Sequence, residues 1–340
     1  MSRVAARRDA SRAEVAEVLA RPGERLVVTA HHNPDADAIG SMLGLARALR
    51  AAGQDVVLAH PDPEPVPSDL AFLVAPGEPI SQALPDDLSE RVLVAVDCAS
   101  ERRLWHEPAH EGARLVVNVD HHHDNTRFGD LNLVEPLASS TAEVVVGVIA
   151  AAGWPLTVAV AEPLYAGLVT DTGRFGYANT RPEAHRVAAA LIEAGVDPAE
   201  MARRLYEEQP LDRLLLTGRA LERARPLAGG RALAAVLTRE DFAAVGGDDT
   251  EGIVEVMRGV RGVRAAAFVR EAGPDGAWRV SLRAADPAVD VSEIARLEGG
   301  GGHRAAAGFS TRRDPDELLE WIGREFATRL DRDGTAGRDG

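Results

Sequence analysis

The sequence predicts an α/β protein in which a doubly wound parallel sheet is followed by a second, smaller α/β domain. Three observations predict it. Short apolar runs that read as buried strands alternate with helical stretches through the first part of the chain. The same alternation restarts after a turn-rich break at Pro226-Leu227-Ala228-Gly229-Gly230. The chain has 340 residues, enough for two domains of roughly 100–200 residues each.

In order along the chain, Ser11 caps a helix over 12–20, and Arg25-Leu26-Val27-Val28-Thr29-Ala30 reads as a buried strand. A helix from about Asp37 to Ala52 follows, closed by Gly53. Asp55–Ala59 is a second strand. Arg91–Val96 runs into Asp97 as a third, and Arg114–Val119 runs into Asp120 as a fourth. Helical stretches dominate from about Ser140 to Arg225. Beyond the break come a strand over 231–237, a helix over about 250–258, strands over 263–270 and 277–283, and a helix near 290–297. The run Gly299-Gly300-Gly301-Gly302 precedes His303, and a last amphipathic helix covers about 315–330. The domains are then 1–205 and 230–330, with 206–229 as a helical connector and a polar, glycine-rich, disordered tail over 331–340.

Charge and composition narrow the function. The formal net charge of −15 argues against coating long duplex nucleic acid, which calls for a basic face. It leaves room for a small anionic substrate where bound cations reverse the local sign. The one cysteine, Cys98, excludes an internal disulfide framework. It adjoins Asp97 and reads as a small buried residue. The charged N-terminus has no signal-peptide pattern, and no apolar run approaches the roughly 20 residues of a membrane span. The expectation is a cytoplasmic protein with no membrane partner.

Four clusters carry chemistry: His31-x-x-x-Asp35-x-Asp37, then Asp97, then Asp120-His121-His122, then Asp171 in Val169-Thr170-Asp171-Thr172-Gly173. Taken singly, each has another reading. An Asp after a strand caps a helix, paired histidines decorate a surface loop, and Asp171 suits a turn. Their coincidence is what points to a metal site. Most follow strand ends, where an open α/β sheet gathers its ligands, and every one offers a metal-compatible group. Mixed imidazole and carboxylate donors suit manganese, iron or zinc. Two such ions about 3.5–4 Å apart can clamp a displacement at phosphorus.

At these residues the chain resembles the DHH phosphoesterase family, named for the motif seen here as Asp120-His121-His122. The stretch His31-His32-Asn33-Pro34-Asp35-Ala36-Asp37-Ala38-Ile39-Gly40-Ser41 matches the family's first motif. Gly299-Gly300-Gly301-Gly302-His303-Arg304-Ala305-Ala306-Ala307-Gly308 is similar to the glycine-rich motif of the associated DHHA1 domain. The resemblance implies two divalent ions, manganese by family habit, with magnesium, cobalt, iron or zinc compatible. One would be held by His31, Asp35 and Asp97, and the other by Asp37, Asp97, His121 and Asp171, with Asp97 bridging. His31 rather than His32 is the ligand, on its spacing to Pro34. Asp97 and His122 are then the catalytic pair, His122 facing the phosphate or protonating the leaving oxygen. Asp120 orients the histidines.

Gly300, Gly301 and Gly302 would let backbone N–H groups approach a nucleotide, with His303, Arg304 and Arg283 adding polar contacts. Gly176 and Ala284 depart from the family pattern, where arginine and serine are common; neither belongs to the metal set. Length and glycine run together resemble the nanoRNase and phosphoadenosine-phosphate phosphatase branch, related to RecJ-type exonucleases. That branch implies an active site in the cleft between the domains. Its substrates are short oligonucleotides, linear dinucleotides such as pApA, and 3′-phosphoadenosine-5′-phosphate. Cyclic di-AMP is the alternative. Inorganic pyrophosphate and non-catalytic nucleotide sensing stand further off. Relatives also dimerise through the first domain, which makes a second copy a candidate partner.

Overall fold

A computed structural model describes residues 7–62, 66–105, 109–273, 276–302 and 304–336. They form two units, divided between Glu208 and Gln209.

The first unit contains, in chain order, β1 (Arg8–Asp9), α1 (Arg12–Leu19), β2 (Arg25–Thr29), α2 (Ala36–Ala51), β3 (Asp55–Ala59), β4 (Ile80–Ser81), β5 (Val92–Val96), β6 (Leu115–Asp120) and β7 (Leu131–Val134). Helices α3 (Thr141–Ala152), α4 (Val158–Asp171), α5 (Pro182–Glu193) and α6 (Pro198–Ala202) follow. The seven strands lie in the order β1-β7-β6-β5-β2-β3-β4, and every pair is parallel. The apolar pattern predicts four of these strands. β1, β4 and β7 are two to four residues long, too short to show a period.

Both faces of the sheet are covered, as parallel pairing requires. Along β5, Val92, Val94 and Val96 enter the large core with Leu26, Val28, Ile39 and Met42. Leu93 and Ala95 enter a smaller one with Leu104, Val116 and Phe128. The chain leaves β2 toward β3 on one side and returns to β5 on the other. That reversal makes the carboxyl ends of β2 and β5 the switch point, where an open sheet leaves a crevice.

α2 and α4 pack across one face with glycine at the seam. A Cβ on Gly40 would lie 2.2 Å from the Pro163 carbonyl oxygen, and one on Gly44 2.5 Å from the Leu164 side chain. A Cβ on Gly167 would lie 2.6 Å from Asp37 Oδ1. The close approach sets the first turn of α2 beside the last turns of α4.

The second unit contains α7 (Leu211–Glu222), β8 (Arg225–Leu227), β9 (Ala232–Leu237), α8 (Arg239–Val245), α9 (Ile253–Arg258), β10 (Ala265–Ala272), β11 (Ala277–Ala284), α10 (Val291–Leu297), β12 (Gly301–Gly302), β13 (Ala306–Thr311) and α11 (Pro315–Ala336). Its sheet runs β12-β13-β11-β10-β9-β8, with β9 and β10 parallel and the other pairs antiparallel. The stretch read as a connector contains α7, and its Leu216 and Ala220 are buried in a core with Leu237, Ile253, Met257 and Phe268. The helix therefore packs as part of this unit. α11 continues past Leu330 to Ala336, through residues read as tail, with Arg231 and Asp331 paired at 2.6 Å. Residues 337–340 lie outside the described residues.

Two alanine substitutions separate the glycine seam from ordinary helix propensity. Gly218 in α7 has open space at its Cβ position, so Gly218→Ala should stabilise by about 0.5–1 kcal/mol. Gly40→Ala should instead destabilise by about 1–3 kcal/mol, because overpacking against backbone outweighs the propensity gain. Thermal unfolding measures both, and equal stabilisation of the two variants would mean that α2 and α4 separate without cost.

Candidate metal centre

Each cluster sits where an element ends. His31 follows β2, and Asp35 is the N-cap of α2, its Oδ1 accepting from the Asp37 and Ala38 N–H groups at 3.0 Å each. Asp35 is thus a helix cap with a second oxygen to spare: Oδ2 lies 4.0 Å from His31 Nε2. Asp97 follows β5, His121 and His122 follow β6, and Asp171 ends α4.

These side chains converge on Asp97. Its Oδ2 lies 3.5 Å from His31 Nε2, and its Oδ1 lies 3.8 Å from His121 Nε2. His121 Nε2 also lies 3.2 Å from Asp171 Oδ2 and 4.0 Å from Asp37 Oδ2. Three sets have donor atoms close enough to share an ion: His31, Asp35 and Asp97; Asp37, His121 and Asp171; and Asp97, His121 and His122. The sequence-predicted ligands are therefore brought together, all within the first unit.

The tautomers follow from the outer hydrogen bonds. His31 Nδ1 is 2.8 Å from the His32 carbonyl oxygen, and His121 Nδ1 is 3.3 Å from the Ala138 carbonyl oxygen. A carbonyl only accepts, so His121 Nδ1 carries a proton and its Nε2 is the nitrogen that faces the carboxylates and can yield its proton to an ion; His31 likewise turns Nε2 toward Asp97. His122 is held the other way. Its Nδ1 is 2.8 Å from Asp120 Oδ1, so that nitrogen donates to Asp120 and offers no lone pair to an ion. His32 turns away, with Nδ1 2.6 Å from Asp62 Oδ1. Of the two adjacent histidines, His31 faces the cluster.

The electrostatics suit a cation site. Asp37, Asp97 and Asp171 have no ion pair with arginine among the described residues; their charged neighbours are histidines. Burial, with Asp97 and Asp171 close by, pushes the Asp37 carboxyl well above its usual range. Burial alone would raise Asp97 too, but the hydrogen bond and charge of His31, then His122 and His121, hold it below that range. Burial disfavours charge on His121, yet Asp171, Asp37 and Asp97 overcome it and push the imidazole up. Convergent buried carboxylates of this kind repel one another unless protons or metal cations neutralise them.

Sequence reasoning misses several residues that shape the site. The N–H groups of Thr141 and Ala142 donate to Asp37 at 2.6 and 2.9 Å, placing that carboxylate at the start of α3, where the helix dipole favours a negative charge. Thr141 Oγ1 donates to Asp97 Oδ1 at 2.8 Å. Asn179 Nδ2 donates to the carbonyls of Asp171 and Ser139 at 3.0 and 2.9 Å. The Arg103 guanidinium lies 3.0 Å from His31 Nδ1. Nothing in the local sequence marks these residues, because each acts across the fold. Cys98 is buried, and burial pushes its thiol up to about 12, which leaves it unreactive.

In the second unit, Gly301 and Gly302 pair with Gly308 and Ala307 across one edge of β13. Arg283 lies on the other side, paired with Ala306, and its Nε donates to Glu255 at 2.6 Å. Arg304 is exposed and donates from Nε to the Pro287 carbonyl at 2.9 Å. Arg283 is thus separated from the glycine strand by β13, and His303 lies outside the described residues.

The DHH family model for the N-terminal domain matches residues 25–168, and the DHHA1 domain model matches residues 229–327. A Thermus thermophilus protein named bifunctional oligoribonuclease and PAP phosphatase NrnA is 37% identical, over 94% of this chain and 94% of its own. The chain belongs to the DHH phosphoesterase family. A Bacillus subtilis DHH relative of the same name is 31% identical over 84% of this chain and 89% of its own. The crystal structure of an exopolyphosphatase-related protein from Bacteroides fragilis superimposes with a TM-score of 0.83, covering 94% of this chain and 96% of that one at 23% identity. That likeness shows the shared fold. No helix among the described residues is long and apolar enough to cross a membrane.

Metal uptake should release protons, because His121 holds its proton above the ordinary imidazole range until an ion displaces it. Manganese affinity should therefore rise between about pH 6 and about pH 9. Calorimetric titration in buffers of different ionisation enthalpy checks both; pH-independent affinity without proton release would remove His121 from the ligand set.

Proposed function

We propose that the chain is a two-metal phosphodiesterase and phosphatase. Its substrates are short oligonucleotides, linear dinucleotides such as pApA, and 3′-phosphoadenosine-5′-phosphate. The observation that carries this reading is the position of Asp97, whose two carboxylate oxygens face different imidazoles, Oδ2 toward His31 and Oδ1 toward His121. A carboxylate so placed can serve two ions. The names of the Thermus and Bacillus relatives support the substrate class.

His31, Asp35 and Asp97 would hold one ion, and Asp37, Asp97, His121 and Asp171 the other. Manganese is proposed; the donors also accept magnesium, cobalt, iron or zinc. When bound, two such cations turn a water into a nucleophile and offset charge on the phosphoryl oxygens. The protein's own part is electrostatic and geometric. Asp35, Asp37, Asp97 and Asp171 supply the negative charge that retains the cations, without which phosphate would be repelled. His31 and His121 present Nε2 to the carboxylates, with Nδ1 turned to backbone carbonyls. Asp120, fully buried, accepts from His122 Nδ1 and from the His121 N–H at 2.8 Å each. It keeps His122 oriented and, against burial, favours its protonated form, ready to meet the phosphate or give a proton to the leaving oxygen.

The second unit supplies recognition. A Cβ on Gly300 would lie 2.2 Å from the Gly308 carbonyl oxygen, and one on Gly302 2.5 Å from the Ala306 carbonyl oxygen, so the fold itself needs glycine there. The Cβ position of Gly301 is open space. Glycine at 301 is therefore free to serve a ligand, and Arg283 and Arg304 of the same unit are the proposed anion contacts. The acidic net charge supports small substrates over long duplexes, and a cytoplasmic homodimer is part of the same proposal.

Hydrolysis of a panel with manganese tests the reading. The panel holds linear di-adenylate, cyclic di-adenylate, 3′-phosphoadenosine-5′-phosphate and pyrophosphate. The linear dinucleotide and the bisphosphate should be cleaved and pyrophosphate spared. Fastest cleavage of the cyclic dinucleotide would reassign the substrate, and cleavage of none with metal bound would point to a nucleotide sensor. Asp97→Ala should abolish turnover, while Gly301→Phe should raise KM and leave manganese uptake intact. Loss of metal in Gly301→Phe would overturn this division of labour.

A further inference from the structure

The turn after β5 carries backbone strain that metal binding alone leaves unexplained. Asp97 has a φ of 52°, in the left-handed region that side chains other than glycine avoid. Such a conformation persists only where its surroundings over-determine it.

Those surroundings are two buried carboxamides. Asn118 Nδ2 donates at 3.1 Å to the carbonyl of Cys98, the residue that follows Asp97 in the turn. Asn125 Nδ2 donates to the same carbonyl at 3.1 Å. Asn125 Nδ2 also lies 2.8 Å from Asn118 Oδ1 and 2.5 Å from Asp120 Oδ2, and Asn125 Oδ1 accepts from the Arg127 N–H at 2.6 Å. The amide orientation follows from chemistry: the Cys98 carbonyl and the Asp120 carboxylate only accept, so the NH2 group must face them. Asn118 and Asp120 are fully buried and Asn125 nearly so, which makes each of these bonds expensive to lose. One side chain therefore ties the Asp97 turn to the carboxylate that holds His122.

We propose that Asn118 and Asn125 are positioning residues for the metal centre. Together they hold Asp97 in its left-handed conformation, so that its two oxygens point to different ions. Asn125 also fixes Asp120, and through it His122. The inference rests on the two-metal reading but concerns different residues. Neither asparagine touches substrate or metal, and both act through the groups they hold.

Asn125→Asp is the decisive variant. It keeps the shape of the side chain, deletes the donor and sets a second carboxylate against Asp120. Asn125→Ala and Asn118→Ala provide independent variants should the aspartate protein fail to fold. Thermal unfolding of the metal-free proteins establishes which variants are folded. Manganese titration and electron paramagnetic resonance then read the centre directly, since two ions sharing a carboxylate are magnetically coupled.

Folded variants are expected to lose about 10- to 100-fold in manganese affinity or kcat. KM should change little, and the coupled signal seen in the parent should give way to that of isolated ions. A folded Asn125→Asp protein with parental affinity, coupled signal and kcat would overturn the inference and leave the two-metal reading intact. A parent that binds no manganese would overturn both. A parent that binds a coupled pair but cleaves nothing would sink only the proposed activity, and the metal readouts would still decide the role of the asparagines.

Discussion

Mutual repulsion among buried carboxylates is the constraint around which the first unit is built. Asp37 and Asp97 are almost wholly buried, Asp171 stands beside them, and among the described residues their ion-pair partners are imidazoles. An arrangement of this kind costs folding free energy in the absence of counter-ions, and the surrounding structure shows how it is held. Asp37 takes two N–H groups at the start of α3, and Asp97 takes the Thr141 hydroxyl. Asp35 takes the first N–H groups of α2. Asp35, Asp37 and Asp97 are thus each tied to a helix start, where backbone dipoles favour negative charge, whereas Asp171 ends α4.

The same constraint accounts for features remote from the chemistry. Asp37 and Asp171 belong to different helices and approach His121 together only because α2 and α4 pack at glycine distance. Gly40 and Gly167 are in this sense part of the site, although neither offers a ligand. The switch point between β2 and β5 sets His31 beside Asp97, and β6, next in the sheet, delivers His121 and His122. Sheet order thus selects which strand ends meet, and helix packing decides how near the remaining carboxylates come.

The second unit meets a different requirement. Its glycine run is a short edge strand rather than a flexible tether, and two of its glycines are demanded by contact with β13. Gly301 stands apart because its Cβ position is open. Fold and ligand make separate claims on adjacent glycines, and only the neighbours in space distinguish them.

Much was legible in the sequence because it is written locally. Apolar runs ending in Asp97 or Asp120, and the spacing from His31 to Asp37, were enough to predict the parallel sheet and the residues gathered at its edge. β1, β4 and β7 were not legible, since two to four residues show no period and earn their strand geometry from a partner. The choice of His31 over His32 had motif spacing behind it; the fold adds a physical reason by giving His32 to Asp62. Thr141, Asn118, Asn125 and Asn179 stayed invisible, because a hydrogen-bond donor has no sequence signature until its acceptor is placed. The sequence by itself determined which groups can carry the chemistry. The tertiary structure alone decided which oxygen faces which nitrogen, because that depends on helix approach and a strained turn set by contacts far apart in the chain.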